Sequence, residues 1–254
     1  MQDARTLSYL NMYAILGSLV QLCQLDKRAG ELVKDAHVSI GFAVKDGPQA
    51  TLSFREGKVT LLEGVEKCTI RLPFSSPEKF NGMIDGVVTP IPTKGITKVG
   101  FLLHTFKELT DILTEYLRPS EEKLQDEVFF RTSTTLMLHV IASAVAQVGN
   151  QDKIGRASAS YISDGDICLS IGEGAEELGV GLRAKDHVLT PLYEKPQQFT
   201  SYMHFADLKT ARALFDGKVN AVVCVGEGLV RVGGMISQID NVNRILDRVS
   251  LYLA

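Results

Sequence analysis

Apolar positions in the first 33 residues recur at helical spacing. Leu7, Leu10, Ala14, Leu19, Leu22 and Leu25 share one side of a helix, and dense charge begins only at Asp26-Lys27-Arg28. This predicts a long helix over 7–33 that becomes exposed near its end. The period then drops to two. Val38 to Val44, Ala50 to Phe54, Val59 to Leu62 and Cys68 to Leu72 are short β-prone runs separated by Asp46-Gly47-Pro48 and Glu56-Gly57, the turn chemistry of an antiparallel meander. Ser75 or Ser76 caps a short helix through Ile84 that Gly86 ends, and Ile96 to Phe101 reads as one more strand. On the helix that follows, Leu102, Leu103, Phe106, Leu109, Ile112, Leu113 and Tyr116 make an apolar face broader than a single surface contact requires.

The same order returns in the second half of the chain. Thr51 to Gly57 lines up with Cys168 to Gly174, Met83-Ile84-Asp85-Gly86 with Leu214-Phe215-Asp216-Gly217, and Ile96 to Gly100 with Leu229 to Gly233. Ile112-Leu113 falls on Ile245-Leu246, while Gln21 and Asp26-Lys27 fall on Gln147 and Asp152-Lys153. Matches in a fixed order over most of both halves are the mark of an internal repeat. The junction is expected near Arg118-Pro119-Ser120, where Pro119 cannot continue a helix and Ser120 suits the cap of the next. That gives units 1–119 and 120–254. In the second, residues 175–198 exceed their counterpart by about 14 residues in this register, a long inter-strand connection of the kind that carries function.

The pattern resembles the sterol carrier protein type 2 family, the non-specific lipid-transfer proteins. Thr51-Leu52-Ser53-Phe54-Arg55-Glu56-Gly57-Lys58-Val59 is similar to that family's central hairpin, Cys68 to Leu72 to its following strand, and Pro77 to Gly86 to its short helix ending in Gly. In the second half, Thr200 to Phe205, Leu208 to Ala221 and Gly228 to Gly233 are the counterparts. The resemblance implies an α+β fold of two tandem sterol-carrier-like units, each an antiparallel-rich sheet covered by helices. It also implies a hydrophobic ligand, fatty acyl or sterol-like.

Composition narrows the partners. The chain has 254 residues, 27 Lys and Arg against 30 Asp and Glu, and a net charge of -3, without the basic footprint of a nucleic-acid binder. Cys23, Cys68, Cys168 and Cys224 are far apart and flanked by apolar residues, which reads as buried free thiols in a reducing compartment. Two stretches free of charge, Thr6 to Leu25 and Thr132 to Gln151, are long enough to span a bilayer but too rich in Ser, Thr, Asn and Gln to favour it. Asp3 offsets Arg5 and no small-residue cleavage site follows, so no secretory leader is expected. A cytoplasmic protein is the expectation, and a homo-oligomer is compatible with the sequence.

Function is then expected to be binding by burial. The candidate lining comprises Phe80, Met83 and Ile84 on the first short helix, with Leu103, Phe106, Leu109 and Leu113 on the helix closing that unit. Leu214, Phe215, Met235, Ile236, Ile239, Val242 and Leu246 take those places in the second unit. Burying about 300 Å² of ligand would gain on the order of 7 kcal/mol before association costs. The same residues would equally serve as solid core, in which case the duplicated fold is an interaction or scaffold module. An enzyme is the third class. No Walker sequence, Gly-x-Ser-x-Gly elbow or His-Glu-x-x-His is present, and Gly226 to Gly234 reads as a hairpin between strands. His37, His104, His139, His187 and His204 are isolated in the sequence. No cofactor, metal or catalytic residue is expected.

Overall fold

The structure, a computed structural model, describes residues 3–253. It falls into two compact α+β units, Met1–Leu136 and Met137–Ala254. The division lies inside one long helix rather than at Pro119.

In the first unit, Asp3 accepts from the backbone of Arg5 and Thr6 and starts helix α1, Ala4–Leu25. This helix includes a π turn at Asn11–Ile15 and a 3-10 turn at Leu16–Ser18. The single helix expected over 7–33 is in fact two. Asp26 adopts an extended conformation, and its carboxylate accepts from Ala29 N at 2.8 Å to cap α2, Lys27–Val33, because a short acceptor side chain satisfies a free helical N–H better than it continues a helix. Strands β1 (His37–Val44), β2 (Gln49–Arg55), β3 (Lys58–Glu63) and β4 (Ile70–Phe74) form a sheet in the order β3-β2-β1-β4. The meander expectation holds for three strands only, since β4 returns to pair with β1 in parallel.

Helix α3, Pro77–Ile84, ends at Gly86 with φ +74°. The strand expected over 96–101 is helical instead. A 3-10 turn at Ile96–Lys98 leads into α4, residues 99–117, which has a π turn at Leu102–Phe106. Pro90 and Pro92 have no N–H to give to a ladder, and strand contact is reduced to Thr93 N donating to Arg71 O and Arg71 N donating to Lys94 O. Gly95, at φ +79°, then turns the chain away so close to β4 that a Cβ would lie 2.3 Å from Thr69 O. One sheet face, with Ile40, Phe42, Leu52, Phe54 and Leu72, packs with the helices into the core. Phe80 meets Phe42 and Phe74 edge-on there.

Helix α5, Glu127–Gln151, carries the chain from one unit into the other. Its cap is Asp126, which accepts from Phe129 N at 2.8 Å, whereas Ser120 accepts only a 3.3 Å bond from Lys123 N in a turn upstream. The acidic side chain lies one residue before the first helical turn, where the positive dipole end favours it. After α6 (Lys153–Ala159), strands β5 (Gly165–Ile171), β6 (Leu178–Lys185), β7 (Val188–Leu192), β8 (Ser201–Phe205) and β9 (Val230–Gly234) follow, in the order β7-β6-β5-β8-β9. Only β5 and β8 are parallel. Helices α7 (Leu208–Phe215), α8 (Ala221–Gly226) and α9 (Ile236–Leu253) complete the unit.

Residues 175–198 are therefore not one long connection, since β6 and β7 occupy most of them. The expectation failed because the strand pattern is masked by Gly179 and Gly181 and because the register was one strand out. By sheet order, β5 corresponds to β1, so Cys168 to Gly174 should not be laid on Thr51 to Gly57 of β2. In the closing helices, Leu109, Leu113 and Tyr116 are buried as Ile245, Val249 and Tyr252 are, which moves the helical register too. The Val-rich run before Gly226 is helical as well. Asn220 caps it by accepting from Val222 N and Val223 N, so that glycine is the last residue of a helix and does not follow a strand.

Among the described residues, two helices, α1 and α5, are long and apolar enough to cross a membrane by length and composition. Their most apolar stretches are 67% and 56% buried within the protein, as core helices are.

Candidate functional site

The expected lining divides by burial. In the first unit Phe80, Leu109 and Leu113 belong to the buried core, with Met83, Ile84 and Phe106 packed half-buried against it. Phe106 reaches Phe42 at 6.1 Å between ring centres. Leu103 is separate, 63% exposed. In the second unit Ile239 and Val242 are buried, Leu214, Phe215 and Leu246 are half-buried, and Met235 and Ile236 are exposed. Phe215 meets Phe205 of β8 edge-on at 5.5 Å.

Exposed apolar side chains gather in the same stretch of each unit. Between the short helix and the start of the closing helix lie Val87, Ile91, Ile96 and Leu103 in the first, and Val219, Val222, Val223, Val225, Met235 and Ile236 in the second. Single exposed apolar residues need no explanation, but a run of them repeated at one place in two units does.

The face of the second sheet opposite Ile167, Leu169 and Ile171 presents a different chemistry. Strand pairing sets two rows across it. Gly181, Cys168, Tyr202 and Gly233 form one, and Gly179, Ser170, His204 and Arg231 the other. The glycines make room for what crosses them. A Cβ on Gly179 would lie 2.7 Å from Cβ of Lys195, one on Gly181 3.1 Å from the Pro196 ring, and one on Gly233 2.6 Å from the Tyr202 ring. The segment after β7 therefore straps one side of this face. Tyr202, edge-on to Phe199 at 6.0 Å, walls the other. Between them is a hollow of about 360 Å³.

Cys168, Ser170 and His204 lie among the lining, with Glu173, Glu177, Lys195 and Arg231 also contributing. Ser170 Oγ is 2.9 Å from His204 Nδ1. His204 is 8% exposed, and its Nε2 is buried without a partner within the protein. Two ion pairs of 2.6 Å, Lys195 with Glu177 and Arg231 with Glu173, neutralise the rim. Burial first, and the Arg231 charge second, lower the His204 pKa against the pull of Glu177 and Glu173, so the ring is neutral at neutral pH. Burial raises that of Cys168, which keeps the thiol protonated and poorly nucleophilic. Among the described residues, no three His, Cys, Asp or Glu side chains gather as a metal set.

Sequence reading placed His204 among isolated histidines and missed this face. Alternation within Cys168-Leu169-Ser170 and Tyr202-Met203-His204 is the signal that puts those four polar side chains together once β5 and β8 are paired. The first unit has no counterpart. In the same sheet positions, Gly41 and Ala43 stand on β1, beside Arg71 and Pro73 on β4, and Cys68 closes over Gly41.

No family model matches the chain, and no curated protein does. Among solved structures it is similar to the sterol carrier protein domain 2 of Helicoverpa armigera, at 11% identity and a TM-score of 0.36, over 45% of this chain and 88% of that one. A sterol carrier protein 2 crystal structure matches at 15% identity and 0.35, over 46% and 95%. Sterol carrier protein 2 from Yarrowia lipolytica, in its apo form, matches at 16% identity and 0.33, over 43% and 89%.

Proposed function

We propose that the chain is a non-catalytic cytoplasmic carrier that takes a fatty acyl or sterol-like ligand at the apolar stretch joining each short helix to its closing helix. The observation that carries this reading is the repetition of exposed apolar side chains there, around Leu103 in one unit and Ile236 in the other. An apolar ligand lying along them would remove their surface and its own from water, which is the whole driving force such binding needs. The strand order β3-β2-β1-β4 repeated in β7-β6-β5-β8, and the matching hydrogen bonds from the Tyr116 hydroxyl to Asp26 and from the Tyr252 hydroxyl to Asp152, support a tandem duplication, hence two sites of one kind.

Mass spectrometry of lipid extracted from the purified chain, with displacement of a fluorescent fatty acid, tests it. Saturable displacement by a long-chain fatty acid, weakened by Leu103→Asp and Ile236→Asp together, is the expected result. A chain that yields no lipid and does not bind the probe would leave the scaffold reading, which the aromatic filling around Phe42, Phe74 and Phe80 favours in the first unit.

A further inference from the structure

The hollow on this face of the second sheet is not absorbed by the carrier reading. It holds a polar floor at a place where the first unit has Ala43 and Pro73, so sheet stability does not demand Ser170 and His204. Three features orient its chemistry. First, Ser170 Oγ lies 2.9 Å from His204 Nδ1, and in the tautomer whose Nδ1 is the acceptor the hydroxyl donates to it. That direction places the ring proton on Nε2, a donor buried without an acceptor, which folding would otherwise leave at a cost. Second, Arg231 neighbours His204 across the strand pair, and Lys195 lies over Gly179 in the same row. Their carboxylate partners hold them in pairs that are largely exposed for Arg231 and partly so for Lys195; such pairs contribute little and exchange readily. Third, Phe199 and Tyr202 give one wall an aromatic surface.

We infer that this hollow binds a small organic carboxylate with an apolar or aromatic body. One carboxylate oxygen accepts from His204 Nε2 and the other from the Arg231 guanidinium, whose planar fork suits two-oxygen acceptors. Arg231 exchanges Glu173 for the ligand, and the body lies against Phe199 and Tyr202. A volume of about 360 Å³ accommodates a ligand of that size.

The test is a titration of the full chain, labelled with ¹⁵N-histidine, with sodium benzoate. Benzyl alcohol serves as a probe with the ring but no charge, and inorganic phosphate as an anion of other geometry. The inference expects a saturable shift of the His204 Nε2 resonance with benzoate alone, weakened about tenfold in Arg231→Gln, whose exposed side chain leaves folding intact. No saturable response up to roughly tens of millimolar benzoate would overturn it. So would an equal response to benzyl alcohol, unchanged affinity in Arg231→Gln, or phosphate binding as tightly as benzoate. Fatty-acid displacement by Leu103→Asp variants is read separately, so the two proposals fail independently.

Discussion

The Tyr252 hydroxyl donates to Asp152 Oδ2 at 2.8 Å across 100 residues of chain. Tyr116 makes the same bond to Asp26 at 2.6 Å across 90. Each aspartate also caps the short helix that follows it, accepting from Ala29 N in one unit and Gly155 N in the other. The closing helix is thereby tied by its last turns to the helix start at the other end of the unit's sequence. The arginines differ in origin. Arg28 follows Asp26 by two residues, whereas Arg248 reaches Asp152 from the closing helix itself.

Removing either hydroxyl leaves a buried carboxylate short of one donor. Tyr116→Phe and Tyr252→Phe are each expected to cost about 1.5 kcal/mol, the scale of a hydrogen bond to a charged group. Urea unfolding would register this as a lower midpoint at unchanged slope. Midpoints indistinguishable from the parent would show that the remaining donors suffice.

Stability should also depend on acid through Asp152. Burial raises its pKa, but hydrogen bonds from Arg248, Gly155 N and Tyr252 outweigh that and bring it down to about 2 from an ordinary 3.8. A depressed carboxylate stabilises the folded state above its unfolded pKa, and that contribution disappears as pH falls from near 4 through about 2. The loss is on the order of 2 kcal/mol. Thermal unfolding from pH 5 to pH 2 should fall more steeply for the parent than for Asp152→Asn, and parallel curves would rule the assignment out.

Gly95 and Gly234 occupy equivalent positions against the first residues of β4 and β8. They have φ +79° and +83°, and a Cβ would lie 2.3 Å from Thr69 O and 2.2 Å from Thr200 O. Backbone cannot give way as a flexible side chain can, so Gly95→Ala and Gly234→Ala should each cost about 2 kcal/mol or more. Gly86, at φ +74° with nothing within 4 Å, isolates the conformational part, about 1 kcal/mol for Gly86→Ala. Equal losses at all three, by chemical denaturation, would mean that the close approach relaxes.

The α+β class, the strands of the first unit and the short helices ending at Gly86 and Gly217 were legible from period and turn chemistry. Strand order was not, because alternation fixes which face a side chain takes but not which neighbour its strand pairs with. Matching Glu56-Gly57 to Glu173-Gly174 then shifted the repeat by one strand, since a Glu-Gly turn can close any hairpin. The same slip hid β6 and the Ser170-His204 couple. The closing helices resisted alignment for another reason. Three more residues separate Gly95 from Tyr116 than Gly234 from Tyr252, and the extra chain lies in a segment with a π turn at Leu102–Phe106, a conformation that apolar spacing does not announce.

Two residues read from sequence as one lining should part company on measurement. Phe80 is fully buried against Phe42 and Phe74, so Phe80→Ala removes both apolar transfer and edge-on ring contacts and should cost about 3–5 kcal/mol. Leu103, 63% exposed on the same unit's closing helix, should change stability by no more than about 0.5 kcal/mol when replaced by Ala. If the carrier reading holds, Leu103→Ala still weakens fatty-acid displacement while Phe80→Ala acts through folding. Urea midpoints measured beside probe affinity separate the two effects. A large stability loss at Leu103 would place it in a packed contact and remove it from the ligand surface.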